Sequence, residues 1–309
     1  MTASESARAA TPPIDPARGR PPWLTIRVGA ERATTEVRQL LGDLGLHTVC
    51  EEARCPNQRE CWDSRTATFL ILGDRCTRRC SYCAIETGQP SGAVDWAEPG
   101  RIARAVSRLG LRHVVVTSVT RDDLEDGGAG VFAATVRRIR AQDPACSIEV
   151  LIPDLGARRS AIETVVRSGP DVVNHNIETV RRLHDQVRPR CGYDNSLRVL
   201  ALARELGGRC TKSGLMVGLG ETLAEVDHTL ADLRSARVDI VTIGQYLRPT
   251  GQSRHVPVSR YYTPAEFETL RASAMGLGFA HVEAGPLVRS SYHAREQLEQ
   301  HRQIDTIPR

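Results

Sequence analysis

Residues 68–90 read TFLILGDRCTRRCSYCAIETGQP. An apolar run, 68–72, ends in Gly73-Asp74-Arg75 and leads at once into Cys76, Cys80 and Cys83, spaced C-x3-C-x2-C. A short apolar run bounded by turn residues reads as a buried strand. In α/β folds the chemistry sits at the C-terminal ends of strands, so three thiols on the loop leaving a strand read first as a site. Three thiolates on one loop can hold three irons of a cubane iron–sulfur cluster and leave the fourth open to a substrate or cofactor. The alternative is a zinc loop or buried free thiols, although zinc sites usually add a second, distant pair of ligands.

Working outward, strand-like runs recur at 113–119 (HVVVTSV), 148–152 (IEVLI), 171–177 (DVVNHNI), 211–217 (TKSGLMV) and 238–246 (VDIVTIGQY). Between them lie amphipathic segments such as RIARAVSRLG, GVFAATVRRIR, RSAIETVVRSG, SLRVLALARELG and AEVDHTLADLRS. Several end in Gly or a basic residue, as helices tend to. Six β–α alternations predict an α/β fold with a parallel sheet closed, or nearly closed, into a barrel; a doubly wound open sheet is the rival. Polar residues gather at the expected strand ends, among them 120–123, Asp154, 174–176, 218–221 and Gln245.

The 309 residues are 40% hydrophobic and 25% charged, an ordinary globular balance that excludes a disordered or fibrous chain. Lys+Arg 41 against Asp+Glu 37 leaves +4, and the charges are interspersed, so no basic stripe argues for nucleic acid. No apolar run approaches the roughly 20 residues that span a bilayer, so no membrane partner is expected. Residues 1–23 read as a disordered tail; a transit peptide is the alternative, disfavoured by Glu5, Asp15 and five prolines. Six of the nine cysteines fall between Cys50 and Cys83 without a secretory signal, which points to metal or redox chemistry in a reducing compartment, the cytoplasm.

A second trio, Cys50, Cys55 and Cys61, is spaced C-x4-C-x5-C in CEEARCPNQRECW. Alone it reads as a second cluster lacking one ligand or as a local zinc knot. Cys146, Cys191 and Cys210 match no ligand spacing and read as small buried residues. His175 and His293 are assigned no catalytic role. Lys212, the only lysine, has no carbonyl substrate to suggest a Schiff base.

The C-x3-C-x2-C loop after the first strand resembles the radical S-adenosylmethionine superfamily. The pair of cysteine motifs, with SVTRDDLEDGGA (118–129), DVVNHNIETV (171–180), TKSGLMVGLGET (211–222), TIGQYLRPT (242–250) and GPLVRSSYHA (285–294), closely resembles the lipoyl synthase family over nearly the whole chain after the tail. The resemblance implies a partial (β/α)6 TIM-type barrel over 67–280. An N-terminal extension, 24–66, would carry the auxiliary cysteines, and a C-terminal segment, 281–309, the Arg289-Ser290-Ser291-Tyr292 motif.

It further implies S-adenosylmethionine and two 4Fe–4S clusters as cofactors. Cys76, Cys80 and Cys83 would hold the radical-generating cluster, and Cys50, Cys55, Cys61 and Ser291 the auxiliary one. Asn176, Glu178, Gly218 and Glu221 become candidates for binding S-adenosylmethionine. The superfamily's Gly-Gly-Glu stretch is replaced here by 117–120 (TSVT), so contacts there are not assigned. The implied reaction inserts two sulfur atoms, at C6 and C8 of a protein-bound octanoyl-lysine group, at the expense of the auxiliary cluster. The implied partners are lipoyl-carrier domains of dehydrogenase complexes or the glycine cleavage carrier protein, and an electron donor protein. Two other readings remain: a radical enzyme whose extra cluster only transfers electrons, and a zinc-stabilised binding module without catalysis.

Overall fold

The structure is a computed structural model describing residues 19–25, 32–53, 55–90 and 93–305. Its strands are β1 (His47–Thr48), β2 (Thr66–Ile71), β3 (Arg75–Cys76), β4 (Glu86–Thr87), β5 (His113–Ser118), β6 (Ser147–Leu151), β7 (Val172–Asn174), β8 (Thr211–Val217), β9 (Ile240–Gln245) and β10 (His281–Gly285). Its helices are α1 (Arg32–Asp43), α2 (Val49–Glu52), α3 (Gln58–Asp63), α4 (Glu98–Arg108), α5 (Ala129–Gln142), α6 (Arg159–Arg167), α7 (Arg181–Val187), α8 (Tyr193–Glu205), α9 (Leu223–Ser235), α10 (Pro264–Gly276) and α11 (Ala294–Asp305).

Eight strands form one sheet in the order β1-β2-β5-β6-β7-β8-β9-β10, while β3 and β4 pair separately beside the cysteine loop. From β2 to β10 every pairing is parallel, and β1 adds an antiparallel edge to β2. The sheet does not close between β1 and β10, as expected of a partial barrel. The long strands read as continuous Val/Ile runs because both faces are covered. On the outer face, Val114, Val116, Ile148 and Val150 pack with Ile102, Phe132 and Ile162 of α4, α5 and α6. A second apolar cluster joins Leu215, Val217, Val241 and Ile243 to Val226 and Leu230 of α9 and Phe267 and Leu270 of α10. Two Thr-x-x-Glu capping boxes, Thr222 with Glu225 and Thr263 with Glu266, start α9 and α10.

The alternate strand residues face inward by the two-residue period, and several of them, Glu149, Asn174 and Lys212 among them, are polar though buried. Lys212 Nζ lies 3.1 Å from Glu149, whose other oxygen accepts from Asn174 Nδ2 at 2.7 Å. Burial alone would raise the Glu149 carboxyl; Lys212 and His113 more than reverse this and hold it low. The single lysine is therefore one half of a buried ion pair.

All six expected strands are present. The fourth is shorter than 171–177: after Asn174 the chain leaves the ladder, and Glu178, at φ 69°, re-enters only as an isolated bridge to Leu215. A seventh parallel strand, β10, extends the sheet beyond residue 280 and pairs with β9. Residues 1–18 of the expected tail lie outside the described residues. Its last residues are not tail: Pro22–Leu24 form a 3-10 turn, Leu24 is buried, and Trp23 Nε1 donates to the Tyr262 carbonyl at 3.2 Å.

Candidate active site

The two cysteine trios meet the barrel from different elements. Cys76, Cys80 and Cys83 lie on the loop leaving β2. Thr77 N donates to Thr120 O at 3.0 Å, and the amides of Arg78 and Thr120 each point at Cys76 Sγ from 3.4 Å. Burial pushes the Cys80 thiol up to about 11 and the Cys83 thiol up to about 12, each reinforced by its neighbouring cysteines and Glu178. Arg188, 8% exposed, opposes this at Cys80; its Nη1 donates to Asn176 O at 2.6 Å.

Cys50 lies on α2, Cys61 on α3 and Cys55 between them. Burial pushes the Cys50 thiol up to about 11, and it raises Cys55 and Cys61 as well. Cys55 adds to the shift at Cys50, and both add to that at Cys61, so the three sulfurs share one site. Against Cys50 lies the Trp62 indole N–H, which is buried and has no oxygen acceptor.

The C-terminal segment folds onto this trio. Asn57 Nδ2 donates to Leu287 O at 2.6 Å, and Glu60 accepts from Tyr292 Oη at 3.0 Å and pairs with His293 Nε2 at 3.2 Å. Arg289 donates to the carbonyls of Gln245 and Val288; burial lowers its pKa and Cys55 pulls it back. Tyr292 in turn feels Cys61. In sequence Ser291 lies between Arg289, whose charge is felt at Cys55, and Tyr292, whose hydroxyl feels Cys61. The close packing needs Gly244, where a Cβ would collide with the Val288 carbonyl.

The donor sets fit iron–sulfur clusters. All six thiols are free, and burial keeps those of Cys50, Cys55, Cys61, Cys80 and Cys83 protonated until a cation repays the loss of the proton. Each trio also faces one arginine, Arg188 or Arg289, placed to balance thiolate charge.

Among the S-adenosylmethionine candidates, Asn176 and Glu178 come together beside the β2 loop. Glu178 Oε1 accepts from Tyr82 Oη at 3.0 Å and Asn176 Nδ2 at 3.1 Å, and burial raises its carboxyl. Asn176 Oδ1 is buried without a partner, as is Ser118 Oγ at the end of β5. Such unpaired groups fit a polar ligand. Gly218 and Glu221 form a second corner. Glu221 accepts from Gly218 N at 2.6 Å, Leu219 N at 2.9 Å and Tyr262 Oη at 2.8 Å, so its oxygens brace the loop. Gly218, at φ 101°, adopts a turn that other residues resist and leaves no room for a side chain against Gln245 and the Arg260 carbonyl.

Cys210, Asp239 and His301 bring one donor atom each within 4.8 Å at the opposite strand ends. Asp239 Oδ2 already accepts from Arg204 at 3.0 Å and from the amide and hydroxyl of Thr211, so a cation is in place and a dication is disfavoured. Cys210 itself is buried.

The model of the Radical SAM superfamily matches residues 70–233, over half of the chain. The chain is 57% identical over 295 residues to the lipoyl synthase of Symbiobacterium thermophilum, covering 93% of this chain and 91% of that one. It is 55% identical over 275 residues to the lipoyl synthase of Pyrobaculum aerophilum, covering 89% and 94%. The chain belongs to the lipoyl synthase family. With membership come the family's reaction, insertion of two sulfur atoms into a protein-bound octanoyl group, and its cofactors, S-adenosylmethionine and two 4Fe–4S clusters. Among solved structures, the chain superimposes on the FeFe-hydrogenase maturase HydG from Carboxydothermus hydrogenoformans with a TM-score of 0.57 at 17% identity, covering 86% of this chain and 69% of that one. It superimposes on methylornithine synthase with a TM-score of 0.52 at 13% identity, covering 89% and 93%. These two show the shared fold.

The sequence reading missed the residues that act across long separations: Arg188 and Tyr82 around Glu178, and Asn57 and Glu60 under the C-terminal motif. The one available signal was position, since Tyr82 precedes Cys83 and Glu60 precedes Cys61.

Proposed function

We propose that Cys76, Cys80 and Cys83 hold the radical-generating cluster and that Cys50, Cys55, Cys61 and Ser291 hold the auxiliary cluster that is consumed as the sulfur source. The observation supporting this reading is the clasp of Asn57 and Glu60, on the segment that carries Cys55 and Cys61, onto Leu287, Tyr292 and His293, the stretch that contains Ser291. When bound, the cofactors supply a carbon-centred radical able to take hydrogen from unactivated carbons, which acid–base groups cannot do, and the sulfur that replaces it.

The residues of the chain position these groups. Asn176 and Glu178 offer a carbonyl and a carboxylate to the polar atoms of S-adenosylmethionine, and Arg188 balances charge at the thiols. Gly218 lets backbone approach the adenosyl portion, and Glu221 positions Gly218 without needing to touch the ligand. The hydroxyl of Ser291 would be a harder ligand than the three thiolates and a poorer match to a cluster iron, which would make it the weakest of the four holds.

The chain acts on octanoylated carrier proteins. Lipoyl domains of dehydrogenase complexes and the glycine cleavage carrier are the proposed carriers, with a separate protein as electron donor. Among the described residues no helix is long and apolar enough to cross a membrane. Six thiols reserved for metal favour the reducing cytoplasm.

Anaerobic iron and sulfide analysis before and after one turnover on an octanoylated carrier tests the assignment. About eight irons per chain, falling toward about four as thiolated product forms, is expected. Survival of the auxiliary signal after product formation would instead favour an electron-transfer role for that cluster.

A further inference from the structure

Two arginines lie between Cys76 and Cys80, and the structure treats them differently. Arg79 is exposed, whereas Arg78 turns inward and is 8% exposed. Its guanidinium forks onto two carboxylates. Nε and Nη2 donate to Asp122 at 3.0 and 2.8 Å, and Nη1 and Nη2 donate to Asp154 at 2.7 and 2.9 Å. Asp122 follows β5 and Asp154 follows β6, so one side chain ties the cysteine loop to two strand ends. Each acid is itself fixed: Asp122 accepts from Thr77 Oγ1 at 3.0 Å, and Asp154, 2% exposed, accepts from Gly156 N at 3.2 Å.

We propose that Arg78 is a positioning residue for the radical site, holding the path between Cys76 and Cys80 so that the three thiols converge before any iron arrives. The inference rests on the assignment of that trio to the radical-generating cluster. A planar fork engaging two carboxylates at once is geometry that lysine cannot supply, although lysine keeps the charge. Without the guanidinium, the two acids are left facing one cation-free space at the ends of β5 and β6, and the loop loses its tether to Asp154, keeping only the contacts of Thr77 on the β5 side.

The test compares wild type with Arg78→Lys, Arg78→Gln and Arg79→Gln, all reconstituted anaerobically at full length. Wild type and Arg79→Gln should hold about eight irons, while both Arg78 variants should fall to about four and keep the auxiliary-cluster spectrum. The spectroscopic change on adding S-adenosylmethionine, and cleavage of S-adenosylmethionine, should drop at least about tenfold. In the metal-free chains, alkylation of Cys76, Cys80 and Cys83 should accelerate in the Arg78 variants while that of Cys50 stays unchanged.

Arg78→Lys holding about eight irons with an unaltered response to S-adenosylmethionine would overturn the proposal. So would equal loss of both clusters with a lower melting temperature, which makes Arg78 a general folding residue. Should the Arg78 variants fail to fold, Asp122→Asn removes one fork at a part-exposed carboxylate, and the same selective loss, smaller in size, is required. A wild type lacking two clusters would sink the site assignment itself, separately from the role of Arg78.

Discussion

With Ser291 as the proposed fourth ligand, an oxygen stands where three cysteines offer sulfur, and the choice would have a kinetic meaning. Iron in a cluster prefers soft thiolate, so an oxygen-held iron marks where disassembly begins. Ser291→Cys should therefore leave the auxiliary cluster assembled, at about eight irons per chain. Turnover to lipoyl product should slow by at least about tenfold, or about 1.4 kcal/mol in the barrier to sulfur release. Iron content and single-turnover product, measured together, decide it; normal turnover would remove the lability argument. The Lys212–Glu149 pair answers a different question, since it sits inside the sheet. Removing one partner strands a buried charge at a cost of about 3–5 kcal/mol, whereas removing both is far milder. Lys212→Met should lower the melting temperature sharply, and Lys212→Met with Glu149→Gln should recover most of the loss. Equal destabilisation by the single and double variants would show that the pair is not coupled.

At the scale of elements, the proposed auxiliary site would depend on how closely the turn after β10 packs onto β9. Gly244 is the point of closest approach, because a methyl group there meets the Val288 carbonyl. Gly244→Ala should push residues 287–292 away from α3 and strip the auxiliary cluster, leaving about four irons and an intact radical cluster. Retention of both clusters would mean that the turn accommodates the shift. The barrel strands were legible because parallel strands buried on both faces read as unbroken Val/Ile runs, as 113–119 does. β10 was not, since HVEAG is short and only half-buried and lacks that signature. The cysteines were legible because ligands on one loop cluster in sequence. Arg188 was not, because its meeting with Cys80 crosses the barrel and arginine is abundant everywhere in this chain. Ser291 came from family resemblance; a lone serine carries no spacing signal of its own.

Over the whole molecule, buried titrating groups set a stability window in pH. His175 is fully buried, pairs its Nδ1 with the Ile152 carbonyl at 2.8 Å, and faces Arg188 through Nε2 at 3.4 Å. An arginine can only donate, so the ring is neutral with its proton on Nδ1. Burial, with Arg188, pulls its pKa down to about 3, and burial pulls that of His184 down to about 4. Unfolded, both titrate near about 6.5. Between these limits the unfolded chain binds more protons than the folded one, so stability falls as pH drops below about 6.5, by no more than about 2.7 kcal/mol per pH unit for two groups. The buried thiols of Cys146 and Cys210 bound the other side: burial raises both, the unfolded chain ionises first, and stability falls as pH climbs above about 8.5. His184 isolates one group of the acid limb. Neither of its nitrogens has a hydrogen-bond partner, and its ring meets Tyr193 edge-on at 5.8 Å, a contact that phenylalanine can reproduce. His184→Phe should match wild type at pH 8 and melt at a higher temperature than wild type at pH 5.5. Cluster breakdown in acid is common to both proteins, so the difference between their anaerobic melting curves reads the histidine alone, and parallel curves across that range would mean that His184 does not set the acid limb.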